Sequence, residues 1–405
     1  MDDPRRFSPD DEQNPRPVHV VWELTMKCDH ACAHCGSRAA QARPDELRGE
    51  ALFAVARQLA AAGSREVTLI GGEAYLHPDC LPLVGLLHRL GLRVTMQTGG
   101  RAITPALAQA LKAQGLHSMG ISIDGLAPVH DRLRASPGSH RAAMAAVVAA
   151  RQAGLLVSAN TQVNRLNADQ LPALAEELRQ GGVLAWRVQL TVPMGRAADH
   201  PDWILEPWRI LDVIDTLGEL KAEAARRCRD AGRPITEMFN IMASNNIGYY
   251  GPWETVLRSR PGGPAWQWRG CQAGRTVLGI ESDGTAKACP SLPTLPYASG
   301  TLREQPLEDI WEGSAAMRFA RDRDASELWG FCATCEHAET CRGGCSFTAH
   351  CTLGRRGNNP FCYHRAAALR DQGRRERLVP VEAAGGKPYD YGRFTIVEEP
   401  WSDGS

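Results

Sequence analysis

Residues 19–35 read HVVWELTMKCDHACAHC, and this stretch decides the fold. Its first part, His19–Leu24, is short and carries Val20, Val21 and Trp22, as a buried strand does. Its second part sets Cys28, Cys32 and Cys35 in the spacing C-x3-C-x2-C just beyond that strand. Three thiolates are one too few to fill a 4Fe–4S cluster, so one iron is left open to a substrate or cofactor. A structural zinc ion with one distant ligand is the alternative reading. Such a site ordinarily completes its ligands with a separate C-x2-C or H-x3-H pair, and none lies within this part of the chain outside the motif itself.

Outward from this stretch the strand pattern repeats. Glu66–Ile70, Arg93–Thr98, His117–Ile123, Leu156–Val163 and Ala185–Val192 read as strands. Alanine- and leucine-rich stretches separate them: Leu47–Ala62, Pro105–Gln114, Arg141–Ala153 and Ala168–Arg179 read as helices. Gly63, Gly91, Gly115, Gly154 and Gly181 stand where such helices would end. Repeated βα units with tight returns imply a parallel sheet. Six units are too few for a closed eight-stranded barrel. The expectation is an α/β fold, a partial (β/α)6 TIM-like barrel over residues 18–200, with its site on the loops after the strands.

The flanks differ in texture. Residues 1–17 are polar and proline-containing and read as a tail. Residues 201–265 break the βα rhythm and read as a helical connection, with Trp208–Cys228 helical and 245–264 a connector. Residues 266–365 are crowded with cysteines, and bound metal is expected to hold them together. Over 366–405 a helix, Arg365–Arg377, leads into a tail in which Arg393–Val397 could form one strand. Tyr389, Tyr391 and Trp401 in that tail are expected to be solvated rather than to cover a groove.

Composition narrows the function classes. The 405 residues carry 46 basic and 46 acidic side chains, so neither nucleic acid nor an anionic membrane is expected as partner. No apolar run is long enough to span a membrane, and Met1–Pro17 lacks the apolar core of a signal peptide. Thirteen cysteines without an export signal point to metal binding in a reducing, cytoplasmic compartment.

Further motifs sit at the ends of the strands. Gly71-Gly72-Glu73 ends the second, Ser122-Ile123-Asp124-Gly125 the fourth, and Val192-Pro193-Met194-Gly195-Arg196 the sixth. With C-x3-C-x2-C, they resemble the radical S-adenosylmethionine (radical SAM) superfamily. The resemblance implies that Cys28, Cys32 and Cys35 hold the cluster and that SAM chelates its open iron. It implies that Gly71, Gly72 and Glu73 hold the methionyl amine, and that Ser122 and Arg134 hold the SAM carboxylate. Asp124 belongs to the same motif, though a turn or cap residue is an equal reading of it. His34 takes the place of an aromatic residue near the adenine, and backbone near Met194 would also reach it. SAM cleavage in this family gives a 5′-deoxyadenosyl radical that abstracts hydrogen from the substrate.

The C-terminal cysteines carry a second resemblance. Cys271-x12-Gly284-x4-Cys289 is followed by Cys332-x2-Cys335-x5-Cys341-x3-Cys345 and then Cys362. This is similar to the SPASM domain, which holds auxiliary 4Fe–4S clusters. The resemblance implies an outer cluster on Cys332, Cys335, Cys341 and Cys362 and an inner one on Cys271, Cys289 and Cys345. Fully ligated members have another cysteine just upstream of the first. Here Trp266–Gly270 stands there, leaving an open iron, a non-cysteine ligand or a distant one, with Cys228 the best distant candidate. Cys80 reads as a packing residue, and Cys351 could replace Cys362.

SPASM-type enzymes mostly modify peptides. The chain is therefore expected to resemble peptide-modifying maturases, most of all those that crosslink a ribosomally made peptide. Pro290 after Cys289 argues against the sulfatase-maturing branch, which has Asp there. With about 17 residues before the first strand, no leader-gripping module is expected, and a separate leader-peptide-binding protein could serve. A flavodoxin- or ferredoxin-like reductant follows from the family. Peptide epimerisation, with a free thiol as hydrogen donor, is one rival; radical oxidation of a small molecule or redox-cofactor precursor is another. A pure iron–sulfur carrier would leave the glycine and Asp motifs unexplained. No catalytic residue is singled out beyond the cluster and SAM positions.

Overall fold

The protein is described here by a computed structural model covering residues 9–402. Its main sheet begins with β1 (His19–Glu23), β2 (Glu66–Ile70), β3 (Arg93–Thr98), β4 (Leu116–Ser122), β5 (Leu156–Val163) and β6 (Ala185–Leu190). All six run parallel, in chain order, in register from His19↔Glu66 across to Val163↔Leu190. Val20, Trp22, Val67, Leu69, Val94 and Met96 are buried at alternate positions and pack with the returning helices. Those helices, Gly49–Ala61, Cys80–Arg89, Pro105–Ala113, Ser139–Gln152 and Leu171–Gln180, lay apolar faces on the sheet. The chain reverses through left-handed glycines at 63, 91, 115 and 154. In the last return Gly181 is still helical and Gly182 takes the left-handed position.

Two more parallel strands widen the sheet. β7 (Asn240–Ala243) pairs with β6, so the segment expected to be a helical connection also adds a strand after the helix Ile210–Asp230. β8 (Val277–Ile280) comes from the cysteine-rich region and pairs with β1 through His19↔Val277 and Trp22↔Ile280. From β8 an antiparallel hairpin leads to β9 (Thr285–Lys287) and then β10 (Ala298–Thr301). The order β10-β9-β8-β1-β2-β3-β4-β5-β6-β7 is open, and the auxiliary region is grafted onto the edge beside β1.

The C-terminal segment corrects two expectations. The helix is Tyr363–Asp371, and Arg374–Arg377 is not helical: Gly373 reverses the chain and β11 (Arg374–Glu382) begins. β11 pairs antiparallel with β12 (Arg393–Pro400), longer than the single strand expected there. The three tail aromatics are not solvated, although residues 385–388 between the strands are exposed. Tyr389 is 9% exposed and packs in the main core, with Tyr391 and Trp401 half-buried against it. Among the described residues no helix is long and apolar enough to cross a membrane.

Candidate active site

The loop after β1 and the end of β2 are pressed together. A side chain at Gly72 would put its Cβ 2.1 Å from the Lys27 carbonyl oxygen and 2.9 Å from Cβ of Cys28. At Gly71 it would meet the Thr25 carbonyl at 2.4 Å. Only residues without a side chain let the two backbones approach this closely. Glu73 is thereby brought beside Cys28: the Glu73 and Asp29 carboxylates and the Cys28 thiol lie within 4.8 Å of one another. Oε2 of Glu73 accepts from Thr98 Oγ1 at 2.5 Å and Oε1 from the Gly99 amide at 2.6 Å. Burial pushes its carboxyl up to about 7 against those two donors.

The three N-terminal thiols share this loop. Cys28 accepts from the His30 amide at 3.4 Å, Cys32 faces Arg134 Nη1 at 3.6 Å, and Cys35 lies 3.5 Å from Ser37 Oγ. Burial, with help from Glu73 and then from Cys32 and Cys35, pushes the Cys28 thiol up to about 12. His30, which the motifs did not single out, stands among them with both ring nitrogens buried and unpartnered. Burial lowers it to about 4, so it stays neutral.

Asp124 anchors a second group. Its carboxylate is fully buried, 3.1 Å from Nε2 of His34, and paired with Arg134; Oδ1 accepts from the Gln162 amide at 2.8 Å. Burial opposes its ionisation, but Arg134 and His34 win and hold it well below the usual carboxylate range. The other ring nitrogen of His34 lies 3.0 Å from the Leu133 carbonyl. His34 thus ties Asp124 to the Cys loop, and Arg134 spans from Asp124 to Cys32. Ser122 ends β4 nearby.

Met194 is 3% exposed and follows β6. Arg196 donates through Nε to the Cys32 carbonyl at 2.7 Å, and its amide donates to that of Cys35 at 2.9 Å. Across this mouth runs the C-terminal tail. Met194 and Tyr391 form an antiparallel bridge, the Gly195 amide donates to Asp390 O at 2.7 Å, and the Gly392 amide to Pro193 O at 3.0 Å. Arg38 grips Asp390 at 2.8 Å. Tyr389 reaches in to the Glu23 carboxylate at the end of β1, over the Lys287 ammonium at 4.4 Å from the ring centre. Tyr391 meets Nε2 of His350 at 3.0 Å.

The C-terminal cysteines fall into two groups. Cys332, Cys335, Cys341 and Cys362 line one pocket with Tyr249, Tyr250, His337 and His364. Cys271, Cys289 and Cys345 form the other: burial, with Cys271 close by, pushes the Cys289 thiol up to about 11, and burial, with Cys271 and Cys289 close by, pushes Cys345 up to about 12. Cys351 is fully buried beside Cys345 and Cys289. Cys228 packs instead with Ala224 and Met238, its thiol donating to the Pro234 carbonyl at 3.3 Å. Cys80 lies in the barrel core.

The model of the radical SAM superfamily matches residues 22–178, and that of the SPASM iron–sulfur cluster-binding domain matches residues 271–336. The chain is a radical SAM enzyme with a SPASM domain. Among curated relatives it is 28% identical to an AdoMet-dependent heme synthase of Methanosarcina barkeri, over 86% of this chain and 97% of that one. It is 27% identical to the mycofactocin maturase MftC of Mycobacterium tuberculosis, over 95% and 90%. Among solved structures it shares its fold with Streptococcus suis SuiB bound to precursor peptide SuiA, with a TM-score of 0.59, 15% identity, and coverage of 86% and 75%.

The cofactors of this radical SAM enzyme are 4Fe–4S clusters and SAM. Its residues fit them. Buried thiols that oppose one another's ionisation are stabilised as thiolates by a bound cation centre. The two orphaned nitrogens of His30 and the Glu73 carboxylate, which no cation among the described residues contacts, border the first thiol set. Tyr249, from the stretch read as a connector, and Trp268, from the stretch that replaces the upstream cysteine, wall the outer set: Tyr249 Oη accepts from the Cys345 amide at 3.1 Å, and Trp268 Nε1 donates to Cys341 O at 3.4 Å.

Proposed function

We propose that this radical SAM/SPASM enzyme oxidises a ribosomally made peptide, joining two of its residues by a crosslink. The observation that carries the reading is the backbone pairing at the mouth. Pro193–Gly195 already binds an extended polypeptide, its own residues 390–392, by antiparallel main-chain hydrogen bonds. An edge that recognises main chain suits a peptide substrate. Similarity to a maturase over 95% of this chain supports the same choice.

Cleavage of bound SAM supplies the radical that takes hydrogen from the substrate. In this reading Cys28, Cys32 and Cys35 hold the cluster. Glu73, oriented by Thr98 and Gly99, receives the SAM ammonium, with Gly71 and Gly72 permitting the approach. Arg134 and Ser122 receive its carboxylate. Asp124 fixes Arg134, and His34 and Met194 border the adenine. The inner ligands are Cys271, Cys289 and Cys345, and the outer ones Cys332, Cys335, Cys341 and Cys362. Tyr389 and Tyr391 close the chamber against water. A crosslink removes two hydrogens, one as an atom and one as a proton and an electron; the SPASM cysteines would hold the acceptor for that electron. A flavodoxin- or ferredoxin-like protein would supply the reducing electron, and a separate protein could bring the leader peptide.

Epimerisation is disfavoured, because Cys80, Cys228 and Cys351 are all buried and packed. The similarity to heme synthases favours one second reading, oxidation of a tetrapyrrole or other cofactor precursor. The test is incubation of the reduced holoenzyme and SAM with short peptides encoded beside it. A peptide two hydrogens lighter supports the first reading; an unchanged peptide with conversion of a tetrapyrrole supports the second.

A further inference from the structure

The cysteine loop carries polar atoms that its own contacts leave unmet. Nδ1 and Nε2 of His30, Oδ1 of Asp29 and Nε of Arg134 are all buried with no hydrogen-bond partner. They share one neighbourhood, because Arg134 and Asp29 are the two charges that bear most on the His30 ring. His30 is 5% exposed and stands between Cys28 and Cys32 in the sequence. Its main-chain amide donates to Cys28 Sγ at 3.4 Å, which ties the loop together without using the ring.

The ring borders the same recess as Glu73. A side-chain carbon at Gly99 would stand 2.9 Å from Oε1 of Glu73 and 2.9 Å from Nε2 of His30. The bare glycine thus gives the carboxylate and the imidazole edge a common space. Glu73 spends its oxygens on Thr98 and Gly99, and Arg134 turns to Asp124 and Cys32, so neither engages His30. A buried donor without an acceptor costs about 1–3 kcal/mol, so such groups persist where a bound polar group completes them.

We propose that His30 donates a hydrogen bond to the carboxylate of bound SAM. This rests on the reading in which Glu73 receives the SAM ammonium and Arg134 its carboxylate, and it gives that carboxylate a further donor. The ammonium and carboxylate of an α-amino acid share one carbon, so a donor beside Glu73 and Arg134 is within reach of the carboxylate that those residues hold. An imidazole keeps at least one N–H in either protonation state, so the role needs no titration. A hydrogen bond to an ionised carboxylate is of the strong, charge-assisted kind. His30 is thereby a cofactor-orienting residue inside the cysteine motif, and it acts on SAM whichever substrate the barrel oxidises.

The test is SAM affinity by anaerobic equilibrium dialysis of the cluster-loaded enzyme, with His30→Leu, His30→Phe and His30→Gln beside the parent and Glu73→Gln. Iron per chain is counted on the same samples, and electron paramagnetic resonance follows the midpoint potential of the SAM-free N-terminal cluster. His30→Leu and His30→Phe remove both ring nitrogens. With iron retained and the potential unchanged, they should bind SAM roughly tenfold more weakly. His30→Gln, which restores an N–H, should recover most of the affinity. Parent affinity in either nitrogen-free variant, with weaker binding in Glu73→Gln, would overturn the role of His30 and leave the SAM site standing. Parent affinity in every variant would overturn both. A shifted SAM-free potential would place the N–H on a cluster sulfide and overturn the proposal. Loss of the N-terminal cluster in both nitrogen-free variants would do the same, by making His30 part of the loop's fold.

Discussion

The hydroxyl of Tyr389 donates to the carboxylate of Glu23, joining the C-terminal tail to the end of the first strand. Glu23 also lies 3.6 Å from Arg43 and accepts from the Ser282 amide at 3.2 Å, so barrel, SPASM domain and tail meet at one buried carboxylate. Burial raises Glu23, against the pull of Arg43 and the tyrosine hydroxyl. Tyr389→Phe leaves that oxygen of Glu23 without its donor. A stability loss of about 1–3 kcal/mol is expected by thermal or denaturant unfolding of the holoenzyme. SAM cleavage should persist while product formation falls, because the chamber roof loosens but the cysteine loop is untouched. Equal loss of both activities would contradict this role of the tail.

Gly72→Ala tests the close approach of β2 to the cysteine loop. Its Cβ would meet the Lys27 carbonyl at 2.1 Å, and backbone atoms cannot yield as a side chain can. The loop should open and lose its cluster while the SPASM cysteines keep theirs. Iron should fall from about twelve to about eight atoms per chain, counted after anaerobic reconstitution. Full iron content would show that the contact is dispensable.

Glu73→Gln keeps the shape and removes the charge. The Gly99 amide and Thr98 hydroxyl hold both oxygens of the parent carboxylate. The amide cannot pair an ammonium as a carboxylate does. SAM affinity by equilibrium dialysis should fall roughly 10- to 100-fold, the worth of a charge-assisted hydrogen bond. Unchanged affinity would remove Glu73 from the SAM site.

Much of the barrel was legible in the sequence because its signals are local. The six barrel strands were recognisable as short apolar runs between glycine-ended helices, and the thiol spacing marked the site loop. What stayed hidden depends on distant partners. β7 is four residues long in an Asn- and Gly-rich stretch, and β8 becomes a barrel strand only by pairing with His19–Trp22, some 258 residues earlier in the case of His19↔Val277. Tyr389 looks like any tail tyrosine until Glu23 is placed beside it. Tyr249 sits in a segment with linker composition, and its packing with Trp268 and Cys341 appears only in the folded chain. Helix periodicity ran on past Asp371 because Arg374–Arg377 are good helix formers, and pairing with β12 overrode that preference.

Lys221 offers a pH test on the helix Ile210–Asp230. Burial lowers its ammonium to about 8, although Nζ donates to the Ser259 carbonyl at 2.8 Å. The unfolded chain holds that proton up to about 10.5, so between these values it binds more protons than the folded one. Stability should therefore rise with pH across this window, by at most about 3 kcal/mol, and that gain is lost as pH falls back from about 10.5 to about 8. Denaturant unfolding of Lys221→Met beside the parent isolates the contribution. Equal pH slopes in the two proteins would refute it.

The most direct test of the proposed chemistry is mass spectrometry of a peptide encoded beside the enzyme, after anaerobic reaction with the reduced holoenzyme and SAM. A product two hydrogens lighter, with a new link between two residues and 5′-deoxyadenosine formed in step, is expected. Formation of 5′-deoxyadenosine with every peptide unchanged in mass, while a tetrapyrrole is consumed, would contradict the peptide reading.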